Sequence, residues 1–303
     1  MRILLIGADG QIGRSLRTTL KAAGDLTITK RSGDANDFPF ETLDVSRPSS
    51  IARVIAKCAP NVVVNAAGYT AVDRAEVESD LAFKVNACAP EAMAAACMDI
   101  DATLVHFSTD YVFDGRSTCP YRESDPTGPL SAYGRSKLAG EQAILASGAR
   151  ALVLRTAWVY AAYGQNFLLT MLRLAKERST LNVVGDQVGS PTAASYIAKV
   201  TADILRADTR AVGLYHLTGQ GQTSWHGFAE RIMLGAVARG LLETAPTLNP
   251  IPSSDYPTPA PRPRYSCLDN ACIAKTFGIL PEPWQDGVER VLDELRQIKN
   301  AGV

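Results

Sequence analysis

A tyrosine and a lysine stand four residues apart in the segment YGRSK, at Tyr133 and Lys137. On a helix this spacing places both side chains on one face, one turn apart. A phenol has a pKa near ~10, and a cation about 4 Å away favours its ionised form by up to about 4 kcal/mol at an effective dielectric near ~20. Because the spacing is common, the pair is either an ordinary surface pair or a phenol tuned for proton transfer.

A strand-like segment, ATLVHFSTD, precedes this pair by some twenty residues and ends in Ser108, Thr109 and Asp110. Ligands of doubly wound α/β folds bind at the carboxyl edge of the sheet, where these residues are predicted to lie. The Thr109 hydroxyl can hold a carbonyl oxygen in position for hydride attack, and Tyr133 can protonate the alkoxide that forms. We therefore predict Thr109, Tyr133 and Lys137 as catalytic residues.

A glycine-rich turn, GADGQIG, follows the first apolar run and opens a predicted helix. Gly7 permits a tight turn, Gly10 lets the backbone approach a pyrophosphate, and Gly13 allows the helix to pack closely on the strand. The spacing is G-x-x-G-x-x-G rather than the commoner G-x-G-x-x-G. The turn predicts a dinucleotide cofactor, and a purely structural turn is the alternative.

The second strand-like segment, DLTITKRSGD, ends in Lys30, Arg31 and Ser32. NAD-binding proteins commonly carry an acid there for the ribose 2′-hydroxyl, whereas cations can pair with a 2′-phosphate. The segment therefore predicts a preference for NADPH, with a solvated charge pair as the alternative.

Farther along the chain, Asp44 can accept a hydrogen bond from the adenine amino group, or it can serve only as a turn acid. The small residues of NAAGYT (Asn65–Thr70) would let a ribose lie against the backbone.

Short apolar runs alternate with Ala- and Leu-rich helical stretches through the first half of the chain. The clearest runs are RILLIG, NVVVNAAG, ATLVHFSTD and ALVLRTAWVY. This alternation predicts an α/β fold with a doubly wound parallel sheet, the Rossmann fold. Near residue 156 this alternation gives way to a mixture of helical and loop-like segments, and a later segment is rich in proline. We predict a cofactor domain over residues 1–155 and a smaller, partly interleaved substrate-binding region over residues 156–303.

The composition is that of an ordinary globular protein, with 46% hydrophobic residues and equal numbers, 31 each, of basic and acidic side chains. Without a basic excess, the sequence predicts no nucleic-acid or anionic membrane partner. The N-terminal apolar run is too short for a signal peptide or a membrane span, so we expect a cytoplasmic protein. The three histidines are widely spaced and no C-x-x-C pair occurs, which predicts no metal site.

These motifs resemble the extended short-chain dehydrogenase/reductase superfamily and, within it, the family of dTDP-4-dehydrorhamnose reductases. The matching segments run from the first strand almost to the C-terminus and include ILLIGADGQIG, VVVNAAGYTAVDRAE, VHFSTDYVFDG, SAYGRSKLAGE, LRTAWVYAAYGQNF, DQVGSPT, GLYHLTGQGQTSWHGFA and YPTPAPRPRYSCLD. Together they are far more specific than any one motif.

The resemblance implies roles for individual residues. The catalytic set is Thr109, Tyr133 and Lys137. The cofactor-binding residues are Gly7, Gly10, Gln11, Ile12, Gly13, Lys30, Arg31, Asp44, Val45, Gly68, Tyr69, Thr70, Tyr133 and Lys137. The substrate-binding residues are Thr109, Asp110, Tyr133, Trp158 and, toward the nucleotide phosphates, Arg262.

The reaction implied is reduction of the C4 ketone of dTDP-4-dehydro-β-L-rhamnose by NADPH, which yields dTDP-β-L-rhamnose for surface polysaccharide. The sequence departs from the family in two places. Some members carry an acid where Lys30 stands, which leaves the use of NADH open. Some also hold magnesium at a dimer interface with acids at the positions of Ser15 and Ser195. We therefore predict no metal here, and a homodimer stays open.

Other functions on the same fold remain as alternatives. One is a different nucleotide-sugar 4-ketoreductase, and another is an epimerase or dehydratase with tightly held NAD. Related dehydratases use an Asp-Glu pair after the catalytic Thr, whereas here Thr109 is followed by Asp110 and Tyr111. A third alternative is a regulatory subunit that kept the fold, which the intact Thr109, Tyr133 and Lys137 disfavour.

Overall fold

The computed structural model of the chain describes residues 1–31, 38–207 and 212–300. Its strands are β1 (Arg2–Ile6), β2 (Asp25–Lys30), β3 (Phe40–Thr42), β4 (Val62–Asn65), β5 (Thr103–Thr109), β6 (Ala151–Thr156), β7 (Val159–Tyr160), β8 (Thr180–Val184), β9 (Val188–Gly189), β10 (Thr192–Ala193), β11 (Gly213–His216), β12 (Thr223–Ser224) and β13 (Thr247–Ile251). Its α-helices are α1 (Gln11–Lys21), α2 (Pro48–Cys58), α3 (Ser79–Phe83), α4 (Ala89–Asp99), α5 (Ala132–Ala146), α6 (Phe167–Glu177), α7 (Ala194–Ala207), α8 (Trp225–Ala238), α9 (Ala271–Phe277) and α10 (Trp284–Asn300).

Within the described residues, the central sheet contains seven parallel strands in the order β11-β6-β5-β4-β1-β2-β3. From β1 the chain first builds outward through β2 and β3, and it then crosses back to add β4 on the other side of β1. The strand order therefore reverses between β1 and β4. Ligands of open α/β sheets bind in the crevice at such a reversal. The predicted doubly wound parallel sheet is confirmed.

Both faces of this sheet are buried, which explains why its strands are almost continuously apolar. Along β1, Ile3 and Leu5 point into one hydrophobic core, while Leu4 and Ile6 point into the other. Helices α1 and α7 cover the first face, and helices α2 and α4 cover the second. The sheet is therefore a rigid platform whose carboxyl edge carries the loops of the site.

The C-terminal half of the chain contributes to this platform and also builds structure of its own. Strand β11 adds to the sheet beside β6, while β7 with β10, β8 with β13 and β9 with β12 form separate two-stranded pairs. The division at residues 155 and 156 stays a prediction. Among the helices in the described ranges, none is both long and apolar enough to cross a membrane.

Candidate active site

A cleft opens at the carboxyl edge of β1, β4 and β5, and it consists of two adjoining cavities. The outer cavity, of about 600 Å³, is bordered by Gly7, Lys30, Arg31, Asp44, Val45 and Tyr69. The inner cavity, of about 610 Å³, is bordered by Gln11, Ile12, Thr70, Thr109, Asp110, Tyr133, Lys137 and Trp158. Both share the wall formed by Asp9, Gly10, Ala66, Ala67 and Gly68. Most of the predicted site residues therefore meet in one continuous cleft.

The glycine turn between β1 and α1 has the shape that a dinucleotide phosphate requires. Gly7 has φ of +81°, and a Cβ there would lie 2.4 Å from the Ala67 nitrogen. A Cβ on Gly13 would lie 2.1 Å from the Gly7 carbonyl oxygen, so helix α1 can pack this closely only with glycine. At Gly10, by contrast, the nearest atom to such a Cβ is 3.6 Å away, an ordinary contact distance, so internal packing does not require glycine there. Gly10 borders both cavities, so the absence of a side chain lets a ligand approach its backbone.

The same turn is held from the other side by the segment after β7. The Asn166 amide donates to Gln11 Oε1 at 2.8 Å, and the Gln11 amide donates to the Gln165 carbonyl at 3.4 Å. Helix α1 begins at Gln11 with its N-terminal N–H groups near the shared wall, where a helix favours an anion. A pyrophosphate-containing dinucleotide fits this arrangement.

The outer cavity brings together the residues predicted to bind the adenosine end of the cofactor. Lys30 and Arg31 border it at the end of β2, and Asp44 and Val45 border it after β3. Asp44 Oδ1 accepts hydrogen bonds from the Ser46 hydroxyl and backbone N–H, which lower the pKa of its carboxyl. Asp44 is thus a turn acid that also faces the cavity. Ser32 lies outside the described residues.

Tyr133 lies in the first turn of α5, where the Ser131 side chain caps the helix by accepting from the Gly134 N–H at 3.1 Å. The tyrosine is half-buried and borders the inner cavity. Burial raises the pKa of Tyr133 to about 12, and contact with the Thr109 hydroxyl opposes that rise only in part. From the sequence we expected Lys137 to lower this pKa. In the structure burial dominates, so the phenol is held protonated, as a proton donor must be.

Lys137 lies one turn later and is 5% exposed. Its Nζ donates to the Phe107 carbonyl oxygen at 2.6 Å and stands 3.3 Å from His106 Nε2. Burial lowers the pKa of Lys137 to about 8, with the Glu141 carboxylate acting in the opposite direction. The lysine is therefore held against the strand that carries Thr109, at the floor of the inner cavity.

Thr109 and Asp110 form the edge of the inner cavity beside Tyr133. The Thr109 hydroxyl donates to Asp110 Oδ1 at 3.0 Å and accepts from the Tyr111 N–H at 3.2 Å. Burial raises the pKa of Asp110 to about 6. In the part of the chain that the structure describes, Ser108 Oγ, Asp110 Oδ2 and Thr156 Oγ1 are buried without a hydrogen-bond partner. Unpaired buried polar atoms are uncommon, and this group borders one cavity, as expected of a polar ligand site.

Trp158 adopts a left-handed backbone conformation with φ of +46°, which is strained for a bulky side chain. Its indole stacks on Trp225 with centroids 3.5 Å apart and ring planes 2° apart. A Cβ on Gly189 would lie 2.4 Å from Trp158 Cε2, so glycine is needed beside the indole. Both indoles border the inner cavity. Stacking on Trp225 therefore stabilises the strained Trp158, and the pair places an aromatic surface in the cleft.

Like Gly13, which packs against the Gly7 carbonyl, Arg262 is a predicted site residue that borders neither cavity. Its guanidinium donates to Asp73 Oδ2 at 3.0 Å, and the Ala260 N–H donates to Asp73 Oδ1 at 3.2 Å. These contacts fasten the proline-rich segment to the loop after β4. The positive charge still reaches Tyr111, at the cavity wall, where it opposes the rise in the pKa of Tyr111 caused by burial. A contact between Arg262 and substrate phosphates stays a prediction.

A buried ion pair anchors the helix that carries Tyr133 and Lys137. Glu141, on the next turn of α5, accepts from Arg155 of β6 through both carboxylate oxygens at 2.7 to 3.2 Å. Their side chains are only 1% and 4% exposed. Arg155 also lies over the Phe113 ring and 3.4 Å from His216 Nε2. Sequence reasoning missed this pair, because neither residue belongs to a motif and only the fold brings them together.

Sequence reasoning also missed Trp225, Asn65 and His106 as site residues. Trp225 stands in the segment TSWHGFA, which carried the family resemblance, but its partner Trp158 is far away in the chain. Asn65 is the last residue of β4 and lies opposite His106, in the middle of β5. Asn65 carried a weak signal, because it is a polar residue at the end of an otherwise apolar strand, where ligands of such sheets bind. His106 carried none, since only the pairing of β4 with β5 brings it to Asn65.

The positions at which some relatives carry metal-binding acids hold hydroxyl groups here. Ser15 Oγ lies 2.5 Å from the Tyr163 hydroxyl, and Ser195 Oγ is buried without a partner in the described residues. Within residues 1–31, 38–207 and 212–300, no group of three or more His, Cys, Asp or Glu side chains could hold a metal ion. The prediction of a metal-free enzyme stays a prediction.

A family model described as the RmlD substrate binding domain matches residues 1–297. The chain belongs to this family. It is 43% identical over 298 residues to dTDP-4-dehydrorhamnose reductase of Salmonella typhimurium, a match that covers 97% of this chain and 98% of that protein. It is 45% identical over 299 residues to the enzyme of the same name from Burkholderia thailandensis, covering 95% and 97% of the two chains.

The fold also matches a solved structure of dTDP-4-dehydrorhamnose reductase from Bacillus anthracis in complex with NADP. The TM-score is 0.83 at 32% identity, and the match covers 97% of this chain and 99% of that one. The resemblance drawn from the sequence motifs is therefore confirmed along nearly the whole chain.

Proposed function

We propose that this RmlD-family protein reduces the C4 ketone of dTDP-4-dehydro-β-L-rhamnose to a hydroxyl group with NADPH as the hydride source. The observation that carries the proposal is the convergence of Thr109, Tyr133 and Lys137 at the wall of one cavity. That cavity adjoins a glycine turn shaped for a dinucleotide. The relatives that match nearly the full chain bear the name of this reductase.

The side chains divide the chemistry among them. Thr109 holds the C4 oxygen by a hydrogen bond, and Tyr133 donates a proton to that oxygen as negative charge develops on it. NADPH, when bound, supplies the hydride that reaches C4. Burial keeps the pKa of Tyr133 near 12, so the phenol carries its proton throughout the physiological range. Lys137 borders the same cavity, where its Nζ can donate to the cofactor ribose and, when protonated, adds a positive charge.

The rest of the cleft selects and orients the two ligands. Lys30 and Arg31 border the outer cavity, where a 2′-phosphate would pair with cations, which supports NADPH over NADH. Trp158 and Trp225 present an indole pair against which the apolar face of a sugar ring can lie. The family resemblance further supports a cytoplasmic enzyme and leaves a homodimer open.

The proposal is tested by following NADPH oxidation when the purified protein is mixed with dTDP-4-dehydrorhamnose generated enzymatically. We expect NADPH consumption that matches formation of dTDP-rhamnose one to one. An epimerase or dehydratase would convert its sugar nucleotide without net NADPH consumption. A regulatory subunit would bind ligands without turnover. Either of these last two results would overturn the proposal.

A further inference from the structure

Three polar side chains from two neighbouring strands and the catalytic helix form a buried row beneath the inner cavity. Asn65 ends β4 and contacts His106, which lies opposite it on β5, and Lys137 of α5 contacts the other side of the His106 ring. Their exposed fractions are 1%, 0% and 5%. Such a row is costly to bury unless its hydrogen bonds are satisfied, so the direction of each bond matters.

The backbone fixes the direction of the first bond. The Ala67 N–H can only donate, and it donates to Asn65 Oδ1 at 3.1 Å. The Asn65 side-chain NH₂ therefore faces His106 Nδ1, 2.9 Å away, and donates to it. A neutral imidazole that accepts at Nδ1 carries its proton on Nε2. Burial, and then the nearby Lys137 charge, hold the pKa of His106 well below its ordinary value, so the ring is neutral.

The direction of the second bond follows from the first. The Nε2–H of His106 points at Lys137 Nζ, 3.3 Å away. An ammonium has three N–H donors and no acceptor, so it can only meet this N–H donor to donor. A neutral amine can accept from His106 and still donate to the Phe107 carbonyl at 2.6 Å. The row therefore destabilises the charged form of Lys137 relative to the neutral form.

We infer that Asn65 and His106 are positioning residues that fix Lys137 against the Phe107 carbonyl and restrain its protonation. This inference rests on the proposed function and deepens it, because Asn65 and His106 would control the protonation of a lysine in the same site. It makes Lys137 a group that gains and loses its charge near the working pH rather than a permanent cation. Of the ionisable groups in the described residues, Glu141, which is paired with Arg155, acts on the charge of Lys137, and Tyr133 and Asp110 border the same cavity.

The inference predicts which ring nitrogen of His106 carries the proton, and this can be measured without any turnover. The experiment is ¹⁵N NMR of the imidazole rings of the wild-type protein at pH 7, with His106→Phe used to assign the signal among the three histidines. We expect Nε2 to be protonated and Nδ1 bare. A ring protonated at Nδ1, or at both nitrogens, would overturn the inference even if the protein proves to be a reductase.

The second test uses a single substitution, Asn65→Asp, to reverse the direction of both hydrogen bonds of the His106 ring. In Asn65→Asp the carboxylate keeps the Ala67 bond and accepts from His106 Nδ1–H, so that Nε2 becomes an acceptor for the Lys137 ammonium. For the wild type we expect kcat/KM to fall as pH rises past about 8, because Lys137 loses its charge. In Asn65→Asp this fall should move upward by about one pH unit, the scale of one charged hydrogen bond.

His226→Gln is the matched control, because this histidine faces the Leu248 carbonyl and Glu230 instead of Lys137. Its pH profile should match the wild type. An Asn65→Asp protein that is folded, has its imidazole proton on Nδ1 and still shows an unmoved pH profile would contradict the restraint on Lys137. If Asn65→Asp does not fold, the imidazole measurement on the wild type decides alone.

Discussion

The two ends of the cleft are built in opposite ways. At the inner end, Thr109, Asp110 and Lys137 are each no more than 5% exposed, and burial is the largest influence on the pKa values of Asp110, Tyr133 and Lys137. At the outer end, Arg31 is exposed, and the pKa of Asp44 is lowered mainly by its own turn hydrogen bonds. The inner end is therefore organised for proton transfer in a desolvated site, and the outer end for salt-sensitive recognition of a phosphate.

The largest effect, on the free energy of unfolding, should come from breaking the buried Glu141–Arg155 ion pair that anchors α5 at the inner end. In Glu141→Gln, Arg155 loses its anionic partner while it stays buried, which typically costs about 3–5 kcal/mol. Urea denaturation should show that loss in the free energy of unfolding. The control is Glu177→Gln, which removes the exposed i,i+4 partner of Arg173 and should cost less than about 1 kcal/mol. Equal losses would mean that α5 is not anchored by this pair.

The next effect concerns the proton donor. Tyr133→Phe should lower kcat by about two orders of magnitude or more, the scale of general acid catalysis, with little change in NADPH affinity. Tyr215→Phe is a suitable control, because its hydroxyl bonds the Val212 carbonyl outside the cleft. Near-wild-type turnover by the Tyr133 variant would remove this residue from the mechanism.

The outer end should show a smaller effect that depends on salt. We predict a preference for NADPH over NADH of about tenfold to a hundredfold, because hydrogen bonds to charged groups are worth roughly 1.5–3 kcal/mol and solvent weakens them. The preference should shrink as ionic strength rises and in the Lys30→Ala, Arg31→Ala double variant, mainly through weaker NADPH binding. The measurement is kcat/KM for both cofactors at two salt concentrations. Equal values at low salt would mean that these cations do not contact the 2′-phosphate.

The smallest effect should be that of a chelator. Ser15 bonds Tyr163 where some relatives carry an acid, so neither activity nor oligomeric state should depend on a divalent metal. Activity and light scattering with and without EDTA test this. A loss of activity that magnesium restores would show that other residues bind a metal.

The contrast between the two ends also explains what the sequence could predict. Gly7, Gly10 and Gly13, or Tyr133 and Lys137, act through local spacing, and a strand–turn–helix pattern is enough to place them. The Trp158–Trp225 stack, the Glu141–Arg155 pair and the Asn65–His106 contact join residues that are distant in the chain. Their geometry follows from strand order and helix packing, which local patterns do not specify. The effect of Lys137 on Tyr133 was misjudged for the same reason, since burial depends on the whole fold.

The central claim is that this cleft transfers a hydride from NADPH to the C4 carbon of a dTDP-linked keto sugar. The most direct measurement uses NADPH deuterated at both positions of nicotinamide C4, followed by mass spectrometry and NMR of the sugar nucleotide. The account predicts a single deuterium on sugar C4 and none at that carbon when ordinary NADPH is used in D₂O. A product without deuterium at C4, or one labelled from D₂O at a carbon next to C4 with no NADPH consumed, would contradict it.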